Sequence, residues 1–249
     1  MLAANFKRPQ IMESFYRQHL SYIHDRYYGN IARNAAQEIL KNLISSGYKK
    51  VIDLGCGSGI LASILSQAGL EVIGVDISFD ILEIAKRKSP NSIFIQKSLF
   101  EYSFEFSDII CAIGEPFNYL FDETSNNSEL AKLIHKIYDN LNPDGFFLFD
   151  VLSDDVDADR NMKIIENDDY TMFLDIEVNA EKSILTRKMT YFVRNKSCYE
   201  KDSETHKQIL FKLGKVEEIL AETGFKYVKL NGYDGHPFRK GHYGFLCKK

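Results

Sequence analysis

A chain of 249 residues is long enough for one large domain with its own core, and 45% hydrophobic with 27% charged residues is ordinary for a soluble globular protein. A net charge of −4 removes the electrostatic reason to expect a nucleic-acid partner. The four scattered cysteines (Cys56, Cys111, Cys198, Cys247) make no CxxC pair, and no stretch approaches the roughly 18 apolar residues of a membrane span, so zinc knuckles, a disulfide framework and a membrane helix are all disfavoured and a cytoplasmic protein is expected.

Residues 11–45 read as helical, with Ile31, Ala35, Ile39 and Leu43 at helical spacing and a stop near Gly47. "KKVIDLG" then reads as a short buried strand, "GILASILSQAG" as a helix ended by Gly69, and "EVIGVDIS" as a second strand. "FDILEIAKRKSP" is a helix closed before Pro90; "SIFIQKSL" and "SDIICAIG" are a third and fourth strand. "NSELAKLIHKIYDNL" is a helix, "NPDG" a turn and "FFLFDVL" a fifth strand. Strands alternating with helices predict an α/β fold, a doubly wound, mostly parallel Rossmann-like sheet covered on both faces.

The rhythm changes after Leu152. "DDVDADRNMKIIENDD" is polar and reads as loop. "YTMFLDIEVN", "SILTRKMTYFVRN" and "SETHKQILF" follow with no helix between them, and their β-branched and aromatic content predicts three antiparallel strands. "LGKVEEILAETGF" returns to a helix stopped by Gly224, and "KYVKLNGYD" with "HYGFLCKK" reads as a closing pair of strands. The expectation is one domain over 1–249 with an N-terminal helical cap at 1–46 and an antiparallel β-rich insertion at 160–210.

Gly55, Gly57 and Gly59 sit between a strand and a helix, where missing Cβ atoms let a ligand approach the backbone. The run is not a dinucleotide fingerprint, because Ile60 stands where the third glycine belongs, and no G-K-[ST] tripeptide makes a phosphate loop. What remains is Asp53 before the glycines and Asp76 at the end of the second strand, placed to accept both hydroxyls of a ribose.

"VIDLGCGSG" followed by "VIGVDIS" resembles the first two motifs of the class I S-adenosyl-L-methionine (SAM)-dependent methyltransferases, and the element order through "LNPDGFFLFD" is similar too. The resemblance implies a seven-stranded sheet with a reversed last strand, SAM as cofactor and S-adenosyl-L-homocysteine as product. It implies that Asp53, Gly55, Cys56 and Gly57 lie along the methionine moiety, Asp76 at the ribose, Ile77 at the adenine, and Ile113 beside the cofactor. Many relatives carry an acidic residue after the third strand to meet the adenine amine; Ser98 and Leu99 occupy that place here.

Candidates at the reacting end are Glu115, Asn118 and Tyr119 in "CAIGEPFNYLF", which lacks the Asn/Asp-Pro-Pro-Tyr pattern of nucleic-acid and protein amide methylases. Tyr22, Tyr27 and Tyr28 of the N-terminal segment are candidates to close over SAM, with Arg26 able to pair a carboxylate. The insertion supplies Arg187, Tyr191, Arg194 and His206. Glu115, Tyr28 and His206 stand as candidate catalytic groups, with Asn118, Tyr119, Arg187 and Tyr191 toward the substrate. No metal set is apparent, since "DDVDAD" lacks the glycine and glutamate of an EF-hand loop.

The expected activity is methylation of a small polar metabolite, an amine in preference to a hydroxyl, similar to the aminosugar and glycine/sarcosine-type N-methyltransferases. Two other readings stand beside it: a SAM-binding sensor or inactive partner subunit, and a protein or RNA methyltransferase. No nucleic-acid or membrane partner is expected, and a homodimer stays open.

Overall fold

The computed structural model describes residues 15–42, 47–121, 126–157 and 160–249. Two helices, α1 (Gln18–Tyr27) and α2 (Asn30–Asn42), precede an alternating core. The core runs β1 (Lys50–Leu54), α3 (Ile60–Gln67), β2 (Glu71–Asp76), α4 (Phe79–Lys88), β3 (Ile93–Gln96), β4 (Ser107–Ala112), α5 (Asn127–Asn140) and β5 (Leu141–Leu152). An inserted block follows, of β6 (Asn161–Glu166), β7 (Tyr170–Asn179), β8 (Ile184–Asn195) and β9 (Cys198–Ile209). The chain ends with α6 (Leu213–Thr223), β10 (Lys226–Leu230), β11 (Gly232–Tyr233), β12 (His236–Pro237) and β13 (His242–Lys248).

The main sheet has seven strands in the order β10-β13-β5-β4-β1-β2-β3. Strands β1 to β5 pair in parallel, and β13 enters antiparallel between β10 and β5. This is the reversed last strand that the resemblance implied. Alternation along each strand sends Val51, Ile109, Cys111 and Leu148 into a cluster under α2 and α3. Ile52, Leu54, Ile110, Phe147 and Phe149 go to the opposite face, under α5 and α6. Each fully buried aliphatic or aromatic side chain there contributes about 1.5–3 kcal/mol.

Three sequence expectations are corrected. The N-terminal helical stretch is two helices rather than one, broken at Tyr28–Gly29, because α1 packs on α4 whereas α2 packs on α3. A Cβ on Gly29 would stand 2.3 Å from Ile60 Cδ1 at the start of α3, so a larger residue at the break would have to displace that side chain. Residues 11–14 and 43–46 of that stretch lie outside the described residues. The insertion has four strands, not three, since Asn161–Glu166 within the polar segment pairs antiparallel with β7. It is a short edge strand exposed over most of its length, and its Met162 and Ile164 are surrounded by a polar segment that masks them in hydropathy. The "NPDG" turn lies inside the span of β5, where the register with β4 shifts and Asp144 takes a φ of 63°.

The inner face of the insertion sheet, with Tyr170, Met172, Met189, Tyr191 and Val193, packs on Leu20 and Ile23 of α1. Helix α1 is thereby held between the insertion and the core, over the carboxyl ends of β1 and β2. No helix among the described residues is long and apolar enough to cross a membrane.

Candidate active site

The glycine turn is held to β2 by its own backbone: the Gly55 and Cys56 amides donate to Val75 O at 2.7 and 3.1 Å. Gly55, Gly57 and Gly59 all have positive φ, at 70°, 53° and 71°. Their reasons for being glycine differ. A Cβ on Gly55 would lie 2.6 Å from Pro116 Cβ, and one on Gly59 2.9 Å from Ala85 Cβ. At Gly57 the nearest atoms would be Ile81 Cδ1 at 3.7 Å and His24 Cε1 at 3.9 Å, so the protein itself leaves that space open.

The open space belongs to a cavity of about 130 Å³ lined by Gly55, Cys56, Gly57, Asp76, Ile77, Ser98, Leu99 and Ile113. Eight of the nine candidate cofactor residues therefore converge on one hollow. Asp53 is the exception. It is buried beneath the turn, where the Cys111 thiol donates to Oδ1 at 3.7 Å and Oδ2 has no partner. Burial, with Asp76 nearby, pushes its carboxyl up to about 7 against that hydrogen bond. The Asp76 carboxylate is oriented by two backbone amides, Gly57 N on Oδ2 and Ser78 N on Oδ1, each at 2.9 Å. Each oxygen keeps a lone pair for a hydroxyl donor. An open glycine cradle beside an oriented carboxylate fits the amino-acid tail and ribose of SAM.

A second cavity, of about 550 Å³, adjoins the first and shares Tyr16, His24, Tyr28, Ile31, Gly114 and Tyr119 with it. The insertion contributes Met172, Leu174, Ile176, Arg187 and Met189 to its wall, and the loop before β13 contributes Phe238 and Arg239. Its polar end centres on Glu115, which follows β4 with a left-handed φ of 55°. The Glu115 Oε1 atom accepts from Arg187 Nη2 at 2.9 Å and Arg239 Nη2 at 2.8 Å. Although burial opposes ionisation, Arg187, His242 and Arg239 together hold the Glu115 carboxyl down at about 2. Arg187 also donates to the Tyr119 hydroxyl at 3.2 Å, and that hydroxyl lies 3.1 Å from Tyr16 Oη.

Beneath Glu115 lies Asp150 of β5, fully buried. It accepts the Gly114 and Glu115 amides at 3.0 and 2.6 Å, the Tyr233 hydroxyl at 2.9 Å, and lies 2.9 Å from His242 Nε2. Glu115, Asp150 and His242 present ligand atoms within 4.8 Å of one another, as a metal site would. The two guanidiniums on Glu115 occupy the place of a cation and would repel a second one.

Of the candidates for the reacting end, Tyr28, Tyr119, Glu115 and Arg187 line the second cavity. His206, Asn118 and Tyr191 line neither cavity. Asn118 is buried and crosslinks the chain, donating to Leu152 O at 2.8 Å and Ile209 O at 2.6 Å and accepting from Leu152 N. Tyr191 donates to Glu204 at 3.0 Å, and His206 Nε2 lies 2.9 Å from the same carboxylate. Of the remaining N-terminal candidates, Tyr22 and Tyr27 donate to Asp169 at 3.1 and 2.8 Å, and Arg26 pairs with it at 3.0 Å. Arg194 is exposed against Tyr199.

Sequence reading missed Tyr16, His24, Asp150, Arg239 and His242. A lone Asp ending the apolar "FFLFD" and a lone His opening "HYGFLC" were the available signals, since a charged residue in a buried strand requires a partner. His24 lines both cavities with an unpartnered Nδ1, and burial lowers its imidazole to about 4.

Comparison with known proteins agrees with this fold. Residues 51–145 match a family model described as a methyltransferase domain. A protein of Geobacillus sp. (strain WCH70) named as a methyltransferase is 29% identical over 204 residues, 78% of this chain and 81% of that one. A ubiquinone biosynthesis O-methyltransferase of Salmonella paratyphi A is 29% identical over 112 residues, 42% of this chain and 43% of its own. Among solved structures, a SAM-dependent methyltransferase from Clostridium acetobutylicum superposes with a TM-score of 0.79 at 17% identity, covering 92% of this chain and 97% of the other. A sugar N-methyltransferase from Streptoalloteichus superposes with a TM-score of 0.72 at 16% identity, covering 100% and 99%. At such identities the structural likeness is one of fold.

Proposed function

Because this chain is a SAM-dependent methyltransferase of class I fold, we propose that it methylates a small polar metabolite, on an amine in preference to a hydroxyl. The observation that carries this reading is the second cavity. It adjoins the cofactor hollow, shares Gly114 and Tyr119 with it, and combines a charged end with an apolar wall of Met172, Leu174, Ile176 and Met189. A hollow walled by α1 and the insertion sheet suits a compact acceptor better than a strand of RNA or a protein surface. A sensor or inactive subunit would have no use for a charged pocket opening onto the cofactor. Solved proteins of the same fold include a sugar N-methyltransferase and an amino pentose methyltransferase, which supports an amine acceptor.

When bound, SAM supplies a methyl group already activated on a sulfonium, so the protein's work is alignment and exclusion of water. Gly57 and Asp76 hold the cofactor's tail and ribose, while Ile77, Leu99 and Ser98 receive the adenine. Tyr16 and Tyr28 roof the seam between the cavities. The Arg187–Glu115–Arg239 cluster fixes the polar end rigidly, so that an acceptor meets charges that need not reorganise.

The test is transfer from radiolabelled SAM across a panel of primary amines, secondary amines and alcohols, with mass spectrometry of the product. A methylated small amine is expected. Methylation confined to protein or RNA, or SAM binding with no transfer to any acceptor, would overturn the reading.

A further inference from the structure

We propose that His242, oriented by Asp150, is the proton acceptor for the nucleophile that is methylated. This rests on the small-amine reading above and assigns it a base. His242 lines the acceptor cavity, 6% exposed, and the ring of Phe238 stacks on it at 4.2 Å and 16°. Its Nε2 lies 2.9 Å from Asp150 Oδ1, a carboxylate otherwise filled by two backbone amides and the Tyr233 hydroxyl. With only acceptors at Asp150, the Nε2 atom must carry the hydrogen, which leaves the lone pair on Nδ1. A base whose far nitrogen is fixed by a buried carboxylate is the arrangement that proton abstraction needs.

Position supports the role. Asp150 is tied to the Gly114 amide, and Gly114 lies at the seam of the two cavities, so the dyad is built on the peptide that separates donor from acceptor. The charged groups around His242 are Asp150 on β5, Glu115 after β4 and Arg239 in the preceding loop, with Arg187 of β8 reaching Glu115. Burial opposes charging, but Asp150 and Glu115 outweigh it and Arg239, raising the imidazole above its ordinary value. In the step proposed, the N–H bond of a bound ammonium breaks, its electron pair stays on nitrogen, and the proton passes to Nδ1. The resulting imidazolium faces Asp150, and the neutral amine presents its pair for methylation. The proton later returns to water.

Imidazole ¹⁵N NMR tests the assignment without any acceptor, on complexes with SAM and with S-adenosyl-L-homocysteine, using His242→Gln to identify the resonances. Protonation at Nε2 in the neutral ring is expected, with titration above the ordinary histidine value and a drop of one unit or so in Asp150→Asn. The sulfonium should also lower that titration by several tenths of a unit relative to the homocysteine complex, as a unit charge within about 10 Å does. A proton on Nδ1, or titration indifferent to the sulfonium, would place His242 away from the chemistry and overturn the proposal.

The second arm measures methylation of ethanolamine, glycine and glucosamine from pH 5 to 9. His242→Gln should lower kcat about 100-fold with the SAM dissociation constant within threefold, and Asp150→Asn should move the acid limb of the profile to lower pH. An unchanged kcat or an unmoved limb sinks the base. If wild-type protein methylates no amine, it is the substrate reading that fails, and the NMR arm still decides the place of His242.

Discussion

The Glu204 carboxylate accepts the backbone amide of Tyr16 at 2.7 Å, joining the insertion sheet to the start of the N-terminal segment across 188 residues of sequence. The same carboxylate takes the Arg17 amide at 2.9 Å, the Tyr191 hydroxyl at 3.0 Å and His206 at 2.9 Å. Tyr16 in turn lines both cavities, and its carbonyl accepts from the Ser78 hydroxyl at 3.0 Å. One buried acid thus fastens the segment that roofs the site, and His206 is part of that fastening.

Glu204→Gln should therefore loosen the roof rather than the core, because an amide nitrogen cannot accept where the carboxylate oxygen did. Hydrogen bonds to a charged acceptor contribute about 1.5–3 kcal/mol each, so losing one should weaken SAM binding about tenfold or more. Calorimetry reads the affinity, and amide exchange of residues 16–23 should quicken while the β1–β5 amides stay protected. Unchanged exchange in that segment would refute the fastening.

The three glycines of the turn should respond differently to a methyl group. Gly59→Ala forces a Cβ to within 3.1 Å of the Ala85 backbone and should destabilise the fold by about 2 kcal/mol or more. Gly57→Ala meets no protein atom closer than 3.7 Å, so its cost is the positive φ alone, about 1 kcal/mol, while its methyl enters the proposed cofactor space. Urea midpoints and SAM titrations should separate the two: stability lost first at Gly59, affinity lost first at Gly57. Asp76→Ala should likewise weaken SAM binding at least tenfold with the fold retained.

Arg187→Met should be strongly destabilising, because Glu115 is 7% exposed and would keep only the half-exposed Arg239. Breaking a buried pair costs about 3–5 kcal/mol, and the partial cover from Arg239 puts the expectation near the lower end. The pH dependence has a definite sign. A carboxyl held at about 2 stabilises the fold above its unfolded value near 4.5, and that contribution disappears as pH falls through 2. The gap between wild type and Arg187→Met should therefore narrow on acidification, measured by denaturant unfolding from pH 7 to 3.

His24 has a linkage of the same sign, at higher pH. Its imidazole is lowered to about 4 by burial, with Lys88 and His206 adding to the effect. Between 4 and about 6.5 the unfolded chain binds the proton that the folded chain refuses, so this residue makes stability rise with pH, by at most about 3 kcal/mol. Asp53, pushed up to about 7, opposes it, since the folded state then holds the extra proton. The difference between His24→Phe and wild type isolates the histidine. Stability of the variant relative to wild type should grow as pH falls from 6.5 to 4.5, and a flat difference would show that His24 is not buried as a neutral ring.

The glycine turn, Asp76 and the strand–helix alternation were legible because each is a local pattern, set by φ, by strand periodicity or by spacing within a few residues. Strand β6 was not, because its short alternation of Met162 and Ile164 sits inside an otherwise polar segment, and as an edge strand it leaves both of those side chains near water. Nor did residue type separate His206 from His24 and His242. All three are histidines in partly apolar surroundings; one meets Glu204, one faces two cavities unpartnered and one meets Asp150.

The sequence by itself determined the proposed cofactor half of this protein, since the glycine turn is built from contiguous residues whose backbone demands are visible one by one. The acceptor half was decided only by tertiary structure. Glu115, Arg187 and the Arg239–His242 turn come from three separate segments, and their charges acquire meaning when the insertion and the reversed last strand bring them onto two neighbouring carboxylates, the arginines onto Glu115 and the histidine onto Asp150. Electrostatic partners act through space over a few ångströms, and no spacing along the chain encodes that distance.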